Sequence, residues 1–145
     1  MGMRETEKSL RNYFVIAGFI AVALGLQDLS EILKLPFALP ATWMLALWFP
    51  TLARMVLGVC FVMSGFKLST ALTTGARGIQ GLLLAALGVM VIDAVLIAGV
   101  IGVDLGQSGL IGSFIGLLII AYLLANVRRL STEAMAKSVP PAQVV

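Results

Sequence analysis

The chain has no histidine and only one cysteine, Cys60, among its 145 residues. The missing imidazole excludes histidine-ligated haem, Cys/His zinc sites and Ser-His-Asp triads, and one cysteine cannot form a disulfide within the chain. Cys60 lies in the apolar run LGVCFVMSG, which favours a small packed side chain over a nucleophile. The sequence therefore predicts no metal site, no cofactor and no enzymatic activity.

Charged residues are also scarce, at 12% of the chain, whereas soluble domains carry about 25%. Hydrophobic residues make up 60%, and the mean hydropathy is +1.06. So much apolar surface cannot be hidden from water in a domain of this size, so we expect it to face the lipid bilayer. The net charge of +3 comes from basic residues scattered near the ends of apolar segments, which argues against nucleic-acid binding.

Four segments are long and apolar enough to cross a bilayer, which takes about 20 residues. Each should be a helix, because only a helix satisfies its own backbone hydrogen bonds in lipid. The predicted fold is an all-α, integral membrane four-helix bundle over residues 13–130, after an arm at 1–12 and before a disordered tail at 131–145. The predicted spans are approximately 13–33, 43–66, 79–103 and 109–127.

Lysine and arginine predict the direction of the four spans, because short loops rich in these residues stay in the cytoplasm. They occur in the N-terminal arm, in the loop that holds Lys67 and Arg77, and at the C-terminal end, whereas the opposite side has only Lys34. We therefore expect both termini to be cytoplasmic. The richness in Ala, Leu and Gly suits a bacterial inner membrane, and the run DLGQS at 104–108 predicts a tight turn between the last two spans.

Each predicted span carries two glycines seven residues apart, which is two helical turns and places both on one face. Such faces let neighbouring backbones approach closely, either within one bundle or in a homo-oligomer or a larger membrane complex. The pairs are Gly18 and Gly25, Gly58 and Gly65, Gly81 and Gly88, and Gly109 and Gly116. In the last span, Gly112 adds a GxxxG pair with Gly116.

Two charged residues fall well inside the predicted spans: Arg54 in the second and Asp93 in the third. A charge at such a depth costs about 3 kcal/mol, so it marks a candidate functional site. Both lie roughly 15 Å below the predicted outer surface on antiparallel helices. The sequence predicts that they form an ion pair.

Further polar residues, Gln27, Asp28 and Glu31, lie near the outer end of the first span. Pro50, one turn before Arg54, removes a helix hydrogen bond and predicts an outward-facing notch. The notch is expected to admit a small polar or anionic ligand, or to pass protons between carboxylates. The alternative is a purely structural ion pair with the outer acids exposed to water.

Two hypotheses for the function follow. The first is a non-enzymatic accessory, assembly or stress-related subunit that works through its helix faces. The second is a small transporter or proton-linked carrier, dimeric because four helices enclose little volume, with its site at Arg54 and Asp93.

Overall fold

The chain is all-α, and four of its helices are long and apolar enough to cross a membrane, as predicted. The computed structural model describes the backbone of residues 2–35 and 38–138, without the side chains of residues 2–4, 101, 103–109 and 138. Five helices and one π-helical turn make up this part of the chain. They are α1 (Gly2–Ile32), α2 (Ala41–Phe66), α3 (Leu68–Thr73), α4 (Arg77–Leu96), the π-helical turn (Ile97–Ile101) and α5 (Val103–Ser138).

The helices form two hairpins, with α1 and α2 as the first hairpin and α4 and α5 as the second hairpin. Contacts run from α1 to α2, from α2 to α4 and from α4 to α5, while α1 and α4 do not meet within the described residues. Both hairpin turns lie at one end of the bundle, named here the hairpin end. The other end, named the terminus end, holds α3 and the described ends of the chain.

The turn of the second hairpin differs from the sequence prediction. Residues 104–108 are helical and belong to α5, and the chain reverses at Gly102 instead. Gly102 has a φ of 92°, a left-handed conformation that glycine adopts without steric cost. The π-helical turn before it brings the Gly102 N–H within 3.0 Å of the Ile97 carbonyl oxygen, which ends the helix at that point.

Two other boundaries also differ from the prediction. Helix α5 continues to Ser138, so the disorder predicted from residue 131 is wrong for 131–138, and residues 139–145 lie outside the described residues. Leu130 and Ser131 are buried, so packing stabilises the extension where the sequence has no apolar periodicity. At the other terminus α1 begins at Gly2, so the described part of the predicted arm is helical.

The glycines of the first hairpin lie at a close backbone contact. A Cβ on Gly18 would come within 2.5 Å of the Gly58 carbonyl oxygen, and a Cβ on Gly58 within 2.8 Å of the Gly18 carbonyl oxygen. Gly65 is similarly confined by Val15 and Phe14 on α1. The predicted close approach of backbones is therefore confirmed for α1 and α2.

The glycines of the second hairpin behave differently. Apart from their own helical turns, no atom lies within 4 Å of the place where a Cβ would stand on Gly81, Gly88 or Gly112. Gly116 alone among the described glycines of this hairpin meets a neighbour, the Met90 side chain. The prediction of a shared packing face is wrong for Gly81, Gly88 and Gly112 within this chain, because α4 and α5 turn these positions away from their neighbours.

The hydrophobic core lies in the half of the bundle nearer the terminus end. Phe14 on α1 and Phe61 on α2 meet edge to face, with ring centroids 5.7 Å apart. Helix α3 contributes Leu68 and Leu72, both at most 5% exposed. All five helices contribute side chains to this core. The opposite half of the bundle, near the hairpin end, holds polar groups.

Candidate functional site: a polar cleft between the hairpins

Arg54 lies on α2 and faces Asp28, which lies on the last turns of α1. The Arg54 Nη1 atom donates a hydrogen bond to Asp28 Oδ2 at 2.5 Å. Both side chains keep contact with solvent, since Arg54 is 34% and Asp28 is 42% exposed. The first hairpin therefore contains its own ion pair, which the sequence analysis did not predict.

Asp93 lies on α4 and is the most buried acid of the site, at 6% exposure. The Ser113 hydroxyl on α5 donates a hydrogen bond to Asp93 Oδ2 at 3.1 Å. Ser113 is itself buried, so this bond forms inside the second hairpin. The sequence did not single out Ser113, because one serine in an apolar helix is ordinary. Its inward position becomes visible only when α5 is packed against α4.

The predicted pair of Arg54 and Asp93 spans the two hairpins. Arg54 Nη2 lies 3.9 Å from Asp93 Oδ2, which is long for an ion pair and beyond hydrogen-bonding distance. The structure thus brings the two residues together as expected, but the closer partner of Arg54 is Asp28. Asp28 and Asp93 share one guanidinium, and each holds it from a different hairpin.

Asp28, Arg54, Asp93 and Ser113 form one polar cluster, and an open cleft of about 300 Å³ lies above it at the hairpin end. Asp28, Glu31, Arg54 and Asp93 supply its charged lining, and Pro50 lies in its wall. Pro50 has no N–H for the Ala46 carbonyl, and the following residue, Thr51, turns its hydroxyl back onto the Leu47 carbonyl at 2.9 Å. The notch expected beside Pro50 corresponds in position to this cleft.

The other predicted site residues lie at the rim or outside the cleft. Glu31 is 67% exposed and pairs with Lys34 at 2.9 Å, so its charge is already balanced. Gln27 is exposed and does not line the cleft, because successive residues of a helix are turned about 100° from each other and Gln27 therefore lies on a different face from Asp28. The cluster therefore contains Asp28 and not Gln27.

A second, smaller cavity of about 50 Å³ lies on the far side of the cluster, toward the core. Its lining is mostly apolar and includes Leu57, Phe61 and Met90, while Arg54 and Asp93 form the boundary that it shares with the cleft. The polar cleft thus ends at these two charged side chains. Any hydrophilic group that enters from the hairpin end meets Arg54 and Asp93 before it meets the core.

The chemical groups of this cluster are ones that can bind a proton or a small ion. Its functional groups are two carboxylates, one guanidinium and one hydroxyl, and no cysteine lines the cleft. Within the side chains that the structure describes, no three His, Cys, Asp or Glu residues lie close enough to hold a metal ion. No protein family, no curated protein and no solved structure matches this chain.

Proposed function

We propose that this chain is a non-enzymatic, proton- or cation-linked carrier whose site is the cluster of Asp28, Arg54, Asp93 and Ser113. It works in a bacterial inner membrane with both termini in the cytoplasm, so that the cleft opens to the outside. Four helices enclose little volume, so the working unit is a homodimer.

The charge balance of the cleft carries this proposal. Glu31 and Lys34 neutralise each other at the rim, whereas Arg54 is the one cation that pairs with Asp28 and Asp93 among the described side chains. With every group ionised, one negative charge is left over. A membrane protein cannot keep such a charge uncompensated at low cost, so a proton or a small cation that enters through the cleft balances it.

The two distances to Arg54 support a simple mechanism. With Asp93 neutralised, Arg54 stays with Asp28, the arrangement seen here at 2.5 Å against 3.9 Å. When Asp93 loses its proton or cation, its charge attracts Arg54 away from Asp28. Because Arg54 and Asp93 lie on different hairpins, the exchange changes the force that holds the hairpins together.

A second candidate is the accessory or assembly subunit. The observation that favours it is the open face of α4, where Gly81, Ala85 and Gly88 leave room for a foreign helix to approach. Purification in a mild detergent separates the two candidates. Recovery within a stoichiometric complex favours the subunit, and a homodimer favours the carrier.

Charge displacement on a solid-supported membrane tests the carrier proposal directly. The full-length protein is reconstituted in vesicles and exposed to jumps between about pH 5 and about pH 9, or to jumps in sodium concentration at fixed pH. We expect a transient current in the wild type, because a proton or cation moves from the cleft to Asp93. The variant Asp93→Asn should lose it.

The control variant is Glu31→Gln, which removes an acid from the rim of the same cleft while leaving the cluster intact. It should keep the transient current of the wild type. The proposal fails if the wild type gives no current under either jump, or if Asp93→Asn and the wild type give the same current.

A further inference from the structure

A groove separate from the polar cleft lies near the terminus end, between α2 and α4, and we name it the α2–α4 groove. Its volume is about 430 Å³, and α3 closes one end. Cys60 and Met63 on α2 and Ile79 and Leu82 on α4 form its apolar wall. The groove therefore offers an apolar surface at the side of the bundle, where lipid would surround the protein.

Two basic side chains, Lys67 and Arg77, stand at the end of this groove. Both are exposed, and no ion pair with either is seen among the described side chains. Of the described side chains that line the groove, none is acidic. The groove thus has an apolar wall and an uncompensated positive end, and this distribution complements an anionic headgroup that carries acyl chains.

The shape of the groove also leaves space beside the basic end. Gly78, in the first turn of α4, has no atom outside its own helical turn within 4 Å of the place where a Cβ would stand. Met63 is 54% exposed and flexible, so it can adjust to an acyl chain. A second copy of this chain is a poorer occupant, because a symmetric contact would bring the same two positive charges face to face.

We propose that the α2–α4 groove binds one anionic phospholipid. The phosphate lies between Lys67 and Arg77, and an acyl chain lies along Cys60, Met63 and Leu82. The groove is separate from the polar cleft. A failure of the lipid proposal would therefore leave the carrier proposal unchanged, and a failure of the carrier proposal would leave the lipid site unchanged. Bound lipid would fill the space between α2 and α4 and hold the two hairpins together at the terminus end.

Native mass spectrometry of the full-length protein tests the site. The protein is purified in a mild detergent with equal amounts of dioleoyl phosphatidylglycerol and dioleoyl phosphatidylcholine. We expect one retained phosphatidylglycerol per chain and little phosphatidylcholine. The double variant Lys67→Gln, Arg77→Gln should retain roughly thirtyfold less phosphatidylglycerol, since each basic residue contributes to the binding of an anionic lipid.

Two further variants make the result specific to the groove. Arg128→Gln with Arg129→Gln removes the same number of charges from α5, outside the groove, and should keep the bound lipid. Gly78→Phe keeps both charges but fills the open space beside them, so it should lose the lipid. Thermal unfolding in detergent shows which variants are folded. If Lys67→Gln, Arg77→Gln does not fold, the lipid retained by Gly78→Phe tests the site instead.

Cys60, the single cysteine, reports on occupancy of the same groove. Its alkylation by N-ethylmaleimide should slow when phosphatidylglycerol is added to the wild type, and should not change in Lys67→Gln, Arg77→Gln. Equal retention of the two lipids overturns the proposal. So does an equal loss of lipid in the α5 control, displacement of the lipid by inorganic phosphate alone, or a lipid-free dimer that protects Cys60.

Discussion

The two hairpins carry the same glycine period but pack in opposite ways. In the first hairpin, the backbones of α1 and α2 touch at Gly18 and Gly58, and each glycine lies against the carbonyl oxygen of the other. In the second hairpin, Gly81, Gly88 and Gly112 face open space. The same sequence pattern therefore marks a closed interface in one place and a free surface in the other, and the neighbouring helices decide which it is.

The hairpins also differ in how they hold their polar groups. The first has a charged pair, Asp28 and Arg54, that is partly exposed in the cleft, and the second has a buried acid, Asp93, with a neutral partner, Ser113. The excess charge therefore lies on the second hairpin and the compensating guanidinium on the first. This difference makes Arg54 the link between them.

The largest expected effect comes from Gly18→Ala in the first hairpin. The new methyl group would lie within 2.5 Å of the Gly58 carbonyl oxygen, and neither backbone can move without opening the hairpin. We expect the free energy of unfolding in detergent to fall by about 3 kcal/mol. The matched control is Gly81→Ala in the second hairpin, which should change it by less than about 0.5 kcal/mol. Equal losses in the two variants would mean that the hairpins do not differ.

A smaller loss is expected from Arg54→Gln. The change leaves Asp28 and Asp93 without a cation, and Asp93 is nearly inaccessible to solvent. Because Arg54 and Asp28 are partly exposed, we expect the free energy of unfolding to fall by about 2 kcal/mol, less than for a fully buried pair. Lys34→Gln removes one charge from an exposed pair and should cost under about 0.5 kcal/mol. A loss no larger than that of Lys34→Gln would show that the cluster contributes no stability.

The smallest loss is expected where glycine meets a flexible side chain instead of a backbone. A methyl group on Gly25 would meet the Met55 side chain, and one on Gly116 would meet the Met90 side chain. Methionine has three rotatable bonds and can turn aside. The free energy of unfolding, measured by thermal unfolding in detergent, should therefore fall by about 1 kcal/mol in each Gly→Ala variant. A loss from Gly25→Ala that equals that of Gly18→Ala would show that the backbones, and not the side chains, limit the space there.

Much of the fold follows from the sequence, because length and hydropathy define a membrane-spanning helix almost completely. The four spans are present where the apolar runs predict them. The boundaries were less predictable: DLGQS has turn-forming residues, yet the chain turns at Gly102. Both glycine and polar residues permit a turn, and only the packing of α5 against α4 decides between them.

The site was predictable in part. Equal depth on antiparallel helices correctly brings Arg54 near Asp93, since depth can be counted in residues along the chain. Depth does not give rotation about the helix axis, so the sequence did not show that Gln27 lies outside the lining of the cleft or that Ser113 faces Asp93. The closer pairing of Arg54 with Asp28 depends on how near α1 approaches α2, and the close contact between Gly18 and Gly58 sets that distance.

Arg54 is shared between the two hairpins, and two double-mutant cycles measure this sharing. Unfolding free energies are measured in detergent at about pH 9, where the carrier proposal has Asp93 ionised, for Arg54→Gln combined with Asp28→Asn, and for Arg54→Gln combined with Asp93→Asn. We predict a coupling energy of about 1 kcal/mol in both cycles. A coupling energy near zero in the Asp93 cycle, beside a clear one in the Asp28 cycle, would contradict the claim.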